Sequence, residues 1–150
     1  HRARTTGARR SAGMGMNVLV HMRDMKAAAF PMNAIVVRRS FLQQNRDVVK
    51  RFQEAYAEAT YQLLNNKDKA TAVLAKWLQQ KNPKAIEETY QYIATSFSFP
   101  TRIAAQGLRN TLDMVAQRNP KIDVNLAKYV DESTLDELEK EGFFNRITGK

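Results

Sequence analysis

Cysteine is absent from the 150 residues, and glycine (6), proline (4) and tryptophan (1) are scarce. Without cysteine the chain can form no disulfide and perform no thiolate chemistry, which fits the cytoplasm and the periplasm equally well. No run approaches the roughly 20 apolar residues of a membrane span. An apolar signal-peptide core is also missing. We therefore expect a soluble chain with no targeting segment in these residues.

Histidine occurs only at His1 and His21. Neither has a second histidine, a cysteine or a carboxylate at ligand spacing, so we expect no metal site. His21 lies in an apolar run and is interpreted as a strand residue without a catalytic role. The sequence contains no G-x-S-x-G, no phosphate-binding glycine loop and no H-E-x-x-H. It therefore predicts neither an enzyme nor a cofactor.

The positive charge is unevenly distributed along the chain. The formal net charge is +9, and residues 1 to 26 hold six basic side chains and one acid, a net +5. Residues 1 to 14 have no apolar periodicity, so we expect a flexible basic head that is not native to the fold, followed by one domain over residues 15 to 150. A basic arm that contacts an acidic partner is the alternative interpretation of the same residues.

Aromatic residues in the remainder follow helical spacing. Core packing explains this better than base stacking, and no helix carries a basic stripe long enough for a nucleic-acid groove, so no nucleic acid is expected. The residues are Tyr56, Tyr61, Trp77, Tyr90, Tyr92 and Phe97.

Two short β-rich runs, residues 17 to 24 and 33 to 39, predict strands. Ser40 and Gln43 then have the spacing of a capping box. A long helix is predicted from Arg46, capped by Asn45, to Leu64, and we expect it to bury one apolar face. That face consists of Val49, Phe52, Ala55, Tyr56, Ala59 and Leu63.

Asparagine and proline divide the rest into further helices. A second helix follows Asn66 and presents Ala70, Val73, Leu74, Trp77 and Leu78 on one face. Asn82-Pro83 supplies a cap and a first-turn proline for a third helix, and a fourth follows Pro100. A short turn is predicted from Leu126 to Val130. A last helix is predicted from Ser133, with the S-x-x-D spacing to Asp136, to Gly142.

Charged pairs offer few candidate sites. Glu87-Glu88 and the run DELEKE at 136 to 141 are interpreted as solvated helix faces, with Asp136 paired to Lys140. Arg38-Arg39 follows the second predicted strand, and a guanidinium there could hold a carboxylate, sulfonate or phosphate in a bidentate grip. Coverage of a sheet edge and a helix start is the simpler interpretation of both arginines.

Several stretches, taken in order, resemble a known family. They are NVLVHMRD at 17 to 24, S-F-L-x-x-N-R-D-V-V-K-R-F from Ser40, NPKAIEETYQYIA from Asn82, and D-E-S-T-L-D-E-L-E-K-E-G-F from Asp131. Together they resemble the C-terminal part of the periplasmic solute-binding proteins of nitrate/sulfonate/taurine-type ABC importers, which are similar to thiamine-pyrimidine synthesis proteins. The resemblance covers roughly residues 15 to 147.

The resemblance implies a mainly helical chain with a small β component, derived from a two-lobed α/β type II binding-protein architecture. In that family a strand like AIVV crosses a hinge back to the first lobe, and the next helix packs on that lobe. The segment before the strand lines the cleft, which implies ligand contacts from Phe30, Met32 and Asn33; Arg38 is added on chemical grounds.

The expected partners are a small polar or anionic ligand, a membrane permease and, through an exposed strand edge, a second copy. The rival hypothesis is a helical interaction domain whose basic arm contacts nucleic acid or another acidic partner. Binding that weakens steeply with salt and disappears without residues 1 to 13 would favour the rival.

Overall fold

A computed structural model describes residues 17, 19, 25, 29–31 and 34–150. Seven α-helices and one 3-10 turn lie within these residues, so the prediction of a mainly helical chain is confirmed. They are α1 (Arg39–Gln44), α2 (Arg46–Asn65), α3 (Lys67–Trp77), α4 (Pro83–Ser96), α5 (Ala105–Arg118), the 3-10 turn Leu126–Lys128, α6 (Ser133–Lys140) and α7 (Phe143–Thr148).

Asparagine caps start helices where the sequence predicts them. Asn66 accepts a hydrogen bond from the backbone N–H of Lys69 at 3.2 Å, and Asn82 accepts one from Lys84 at 3.0 Å. Pro83 occupies the first turn of α4, where its missing N–H costs nothing. These bonds satisfy N–H groups that have no partner within the helix, so both predicted starts are confirmed.

The predicted strand over 33 to 39 is wrong for the residues that the structure describes. Positions 34 to 38 form neither helix nor strand, and the side chain of Val36 is 85% exposed. β-Branched residues favour a strand only when a neighbouring strand completes the hydrogen-bonded ladder, and no such neighbour lies among the described residues. The strand predicted at 17 to 24 lies outside the described residues, apart from Asn17 and Leu19.

Two predicted capping positions are corrected. α1 starts at Arg39, so Ser40 lies inside the helix and the extended residue before it is Arg38. α6 starts at Ser133, and the Asp131 carboxylate accepts from the Ser133 backbone N–H at 3.1 Å. The first α-helix therefore begins one residue before Ser40, and α6 begins at Ser133 itself, so neither serine is the residue that precedes its helix. The predicted C-terminal cap is confirmed, because Gly142 has a φ of 70° and its N–H bonds to the Glu139 carbonyl.

The described helices fall into two units. Unit 1 contains residues 55–101 and 145–150, and unit 2 contains the described residues from 25 to 54 together with 102–144. In unit 1, α3 packs on α4, Tyr61 and Phe99 stack with ring centroids 5.4 Å apart, and Tyr90 is buried. Its buried residues are Ala57, Thr60, Ala70 and Tyr90.

Unit 2 has the larger apolar core. Its buried apolar side chains are Leu42, Leu112, Leu135, Leu138, Phe143 and Phe144. The hydroxyl of Thr134, which is almost fully buried, donates to the Gln53 side-chain oxygen and ties α6 to α2. Gly107 lets the chain approach α5 closely, because a Cβ there would lie 3.3 Å from the Pro31 ring.

Two predicted apolar faces are only partly correct. In α2 the buried residues are Ala57 and Thr60, while Phe52 and Ala59 of the predicted face are exposed. In α3, Ala70 is buried but Trp77 is 78% exposed. The assignment of the aromatic residues to the core is therefore right for Tyr90 and wrong for Trp77, Tyr92 and Phe97, which are exposed. Helical spacing of apolar residues therefore does not by itself determine which side chains of α2 and α3 are buried.

Candidate functional site

Unit 2 contains a shallow apolar recess. Its volume is about 340 Å³, and it lies between the start of α5, the 3-10 turn and the residues leading into α6. Its walls are Ile103, Ala105, Leu108, Leu126, Ala127, Val130 and Glu132. Asn125 builds one wall locally, because its side chain accepts from the Ala127 backbone N–H at 3.1 Å and starts the turn. The recess can hold a small apolar group.

Arg102 gathers three carboxylates at the edge of the recess. Its guanidinium donates to Glu132 at 2.8 Å, to Asp136 at 2.8 Å and to Glu139 at 2.9 Å. The second oxygen of Glu132 accepts from the backbone N–H of Ile103 at 3.3 Å. Glu132 therefore uses both oxygens to join the segment before α5 to α6.

The electrostatics of this edge are acidic. The hydrogen bond that Arg102 donates to Glu132, followed by the one that it donates to Asp136, holds the pKa of Arg102 above its ordinary value, so the guanidinium stays charged. One cation faces three carboxylates, which leaves a local excess of negative charge. Nearby, the bonds from Ser133 hold the pKa of Asp131 below its usual value. An anionic ligand is therefore disfavoured at this recess, whereas an apolar group with a donor or cationic end suits it.

A separate ion pair, with no net charge, borders the recess at the 3-10 turn. Lys128 forms an ion pair with Asp123, and that hydrogen bond lowers the pKa of Asp123 and raises the pKa of Lys128. The backbone carbonyl of Lys128 accepts from Arg39 at 3.0 Å. Arg39 thus connects α1 to the 3-10 turn through a structural hydrogen bond.

Of the predicted ligand residues, Phe30 and Arg38 lie within the described part of the chain, and neither lines the recess. The segment of Phe30 rests on α5, since the side-chain amide of Asn110 donates to the Ala29 carbonyl at 3.0 Å. Phe30 itself is 38% exposed. Arg38 is the N-terminal cap of α1 and is exposed, with its carbonyl accepting from the Leu42 N–H. Met32 and Asn33 lie outside the described residues.

Sequence reasoning missed the cluster around Arg102. It treated DELEKE as a solvated face with Asp136 paired to Lys140, but Asp136 and Glu139 bind Arg102. Glu137 instead pairs with Arg46 at 2.5 Å, and this bond raises the pKa of that arginine. The spacing 132, 136 and 139 is i, i+4, i+7, which places three carboxylates on one side and could have suggested a shared cation.

Glu87 is similarly engaged in unit 1, where sequence reasoning expected only a solvated face. Lys67 donates to its carboxylate at 2.8 Å, and this hydrogen bond lowers the pKa of Glu87. The same ammonium lies 5.9 Å from the centroid of the Tyr90 ring. The pair joins the first turn of α3 to α4.

No group of three or more potential metal ligands occurs among the described residues. No helix in that part of the chain is long and apolar enough to cross a bilayer. Searches against family models, curated proteins and solved structures found no match for this chain.

Proposed function

We propose that this chain is the C-terminal part of a solute-binding protein of an ABC importer of the nitrate/sulfonate/taurine type, acting in the periplasm. The observation that supports it best is the segment 34 to 38. The segment contains the exposed β-branched residues Ile35, Val36 and Val37, has no strand partner among the described residues, and leads directly into α1. In the family that the sequence resembles, a strand at this point crosses a hinge and pairs within the first lobe.

The helices that follow agree with the same proposal. α1, α2, α4 and α6 cover the stretches that carry the resemblance, and three of these four helices start within one residue of the position that the sequence predicts. The segment of Phe30, which would line the cleft, is held on α5 through Asn110 and Gly107.

The proposed ligand is a small polar anion, and Arg38 is the residue we assign to it. Its side chain is exposed and forms no hydrogen bond or ion pair with the described residues. Arg39, by contrast, is bonded to the Lys128 carbonyl. A guanidinium that none of the described residues binds suits a sulfonate or nitrate, which it can hold with two parallel N–H donors. The acidic recess at Arg102 is not this site.

The test is a thermal-unfolding scan with taurine, alkanesulfonates, nitrate, bicarbonate and pyrimidines. A ligand at about 100 times its dissociation constant adds roughly 2.7 kcal/mol to the stability. For a chain of this size, that raises the midpoint by roughly 5 to 10 °C. We expect Arg38→Ala to abolish the shift and Arg118→Ala, which removes an exposed arginine at the end of α5, to retain it.

Two results would count against the proposal. If the chain melts cooperatively and none of these compounds raises the midpoint, the proposal that it binds a solute is contradicted. Nucleic-acid binding that falls steeply with salt and disappears without residues 1 to 13 would favour the helical interaction domain instead.

A further inference from the structure

An exposed stripe on α3 combines aromatic and basic side chains. Lys69, Val73 and Trp77 follow one another at i, i+4 and i+8, so they share one side of the helix, and Lys76 lies beside them. Trp77 is 78% exposed, and Val73 and Leu78 are each 55% exposed. Ala70, seven residues before Trp77, is buried, so the stripe borders the side of α3 that is packed, and α3 packs on α4.

The geometry at the end of α3 holds this stripe in place. Leu78 caps the helix, Gln79 has a φ of 50°, and the Gln80 N–H bonds to the Ala75 carbonyl at 3.1 Å. This pattern of bonds is a Schellman motif, which ends a helix abruptly. Trp77 therefore lies on the last turn of a well-defined helix, with its ring exposed to solvent.

The charge around Trp77 has a single sign. From Lys69 to Lys84 the sequence has four lysines and no acidic residue, and all four lysines are exposed. Asp68, the nearest acid before them, lies away from the stripe because it is five residues before Val73, half a turn round the helix. A surface that presents three exposed apolar side chains together with Lys69 and Lys76, followed along the chain by two more exposed lysines, complements a partner that is both anionic and apolar.

A membrane surface with anionic lipids has this combination. Tryptophan suits the headgroup boundary, where its ring contacts acyl chains and its N–H remains hydrogen-bonded. Lysine can lay its methylene chain along the apolar region while the ammonium reaches the phosphates. Three apolar side chains give too little buried area for attachment on their own, so the lysines must contribute.

We propose that this surface, the Trp77 face (Lys69, Val73, Lys76, Trp77 and Leu78), docks the protein reversibly on anionic lipid. This inference is independent of the proposed solute-binding function, since it involves neither Arg38 nor the segment before α1.

Trp77 is the only tryptophan in the chain and therefore reports its own environment. The experiment mixes the full chain with vesicles of phosphatidylcholine, with or without phosphatidylglycerol, and records tryptophan emission together with co-sedimentation. We expect a blue shift and sedimentation with phosphatidylglycerol only. Raising the salt from 0.1 M to 1 M shortens the Debye length from about 10 Å to about 3 Å and should release the protein.

Two charge-matched double variants test the face itself. Lys69→Gln with Lys76→Gln removes two lysines of the face, and Lys121→Gln with Lys140→Gln removes two exposed lysines of unit 2. At about 1 kcal/mol per lysine, the first pair should weaken vesicle binding roughly 25-fold. The second pair should leave it within about twofold, because its lysines lie elsewhere. Far-UV circular dichroism checks that both variants remain folded.

Four outcomes would overturn the proposal. Sedimentation without a blue shift, weakened equally by both double variants, would assign binding to the basic residues near the chain start. A blue shift that depends on protein concentration and needs no vesicles would identify a second copy as the occupant. A blue shift with polyglutamate but not with vesicles would identify an acidic protein surface. No shift and no sedimentation would leave the face without a lipid-binding role.

Discussion

The two units bury different kinds of residues. Unit 2 buries three leucines of α5 and α6 together with Leu42 and two phenylalanines, whereas the buried positions of unit 1 are two alanines, a threonine and Tyr90. Unit 1 leaves Trp77, its largest apolar side chain, mostly exposed. The burial of large apolar side chains is the main source of stability, so unit 2 should carry more of it. Exposed apolar surface, as on unit 1, is more often used for binding.

Truncating a core leucine of unit 2 should cause the largest loss in the free energy of unfolding. Leu138 is fully buried in α6, so Leu138→Ala removes buried methyl groups and leaves a cavity. We expect a loss of about 2–5 kcal/mol in the free energy of unfolding, measured by urea denaturation. The matched change in unit 1, Trp77→Ala, removes a larger side chain that is exposed, so the loss should stay within about 0.5 kcal/mol. Equal losses would show that unit 1 depends on Trp77 for packing and would weaken the docking proposal.

Removing the Arg102 guanidinium should cause an intermediate loss in the free energy of unfolding. Arg102→Gln leaves Glu132, Asp136 and Glu139 without their shared cation, and their mutual repulsion adds to the lost hydrogen bonds. We expect a loss of about 1–2 kcal/mol at low ionic strength, smaller at 1 M salt.

The control for Arg102 lies in unit 1. Lys67→Gln breaks a pair with the single carboxylate of Glu87, and both side chains are largely solvated, so its effect should be smaller. If Arg102→Gln behaves like Lys67→Gln and shows no salt dependence, the cluster does not hold the recess edge together.

A glycine at position 79 should have the smallest effect, and it should be stabilising. Gln79 has a φ of 50°, a conformation that a Cβ disfavours and glycine adopts freely. We expect Gln79→Gly to raise the free energy of unfolding by about 0.5 kcal/mol, after the entropy that glycine loses on folding. Gln80→Gly, one residue later, gains no such relief and should be neutral or destabilising. Equal destabilisation by both variants would show that the turn after α3 does not depend on this backbone conformation.

Local signals predicted the starts of α3 and α4 because the side chains of Asn66 and Asn82 bond to N–H groups only two or three residues ahead. Gly142 was predicted as a helix end for a similar reason, because its left-handed conformation closes the last turn. The strand over 33 to 39 failed as a prediction since a strand needs a partner from elsewhere in the chain. The capping box at Ser40 failed because its residue spacing fits more than one helix start.

The cluster at Arg102 and the recess beside it could not be predicted from local patterns. Arg102 lies 30 residues from Glu132 and 37 from Glu139, so only packing brings them together. Phe30 and Arg38 were chosen from a resemblance and from chemistry, and their role as ligand contacts stays a prediction.

The sequence by itself determined that the described chain is mainly helical. It also determined where helices start at the asparagine caps and the positive charge between Lys69 and Lys84. These features depend on residues within a turn of one another or on composition. The tertiary structure alone decided that α2 buries Ala57 and Thr60, that Trp77 is exposed, and that one arginine holds three carboxylates. Burial and ion pairing depend on which distant elements meet, and hydrophobic periodicity does not distinguish one helix face from another when apolar residues occur on both.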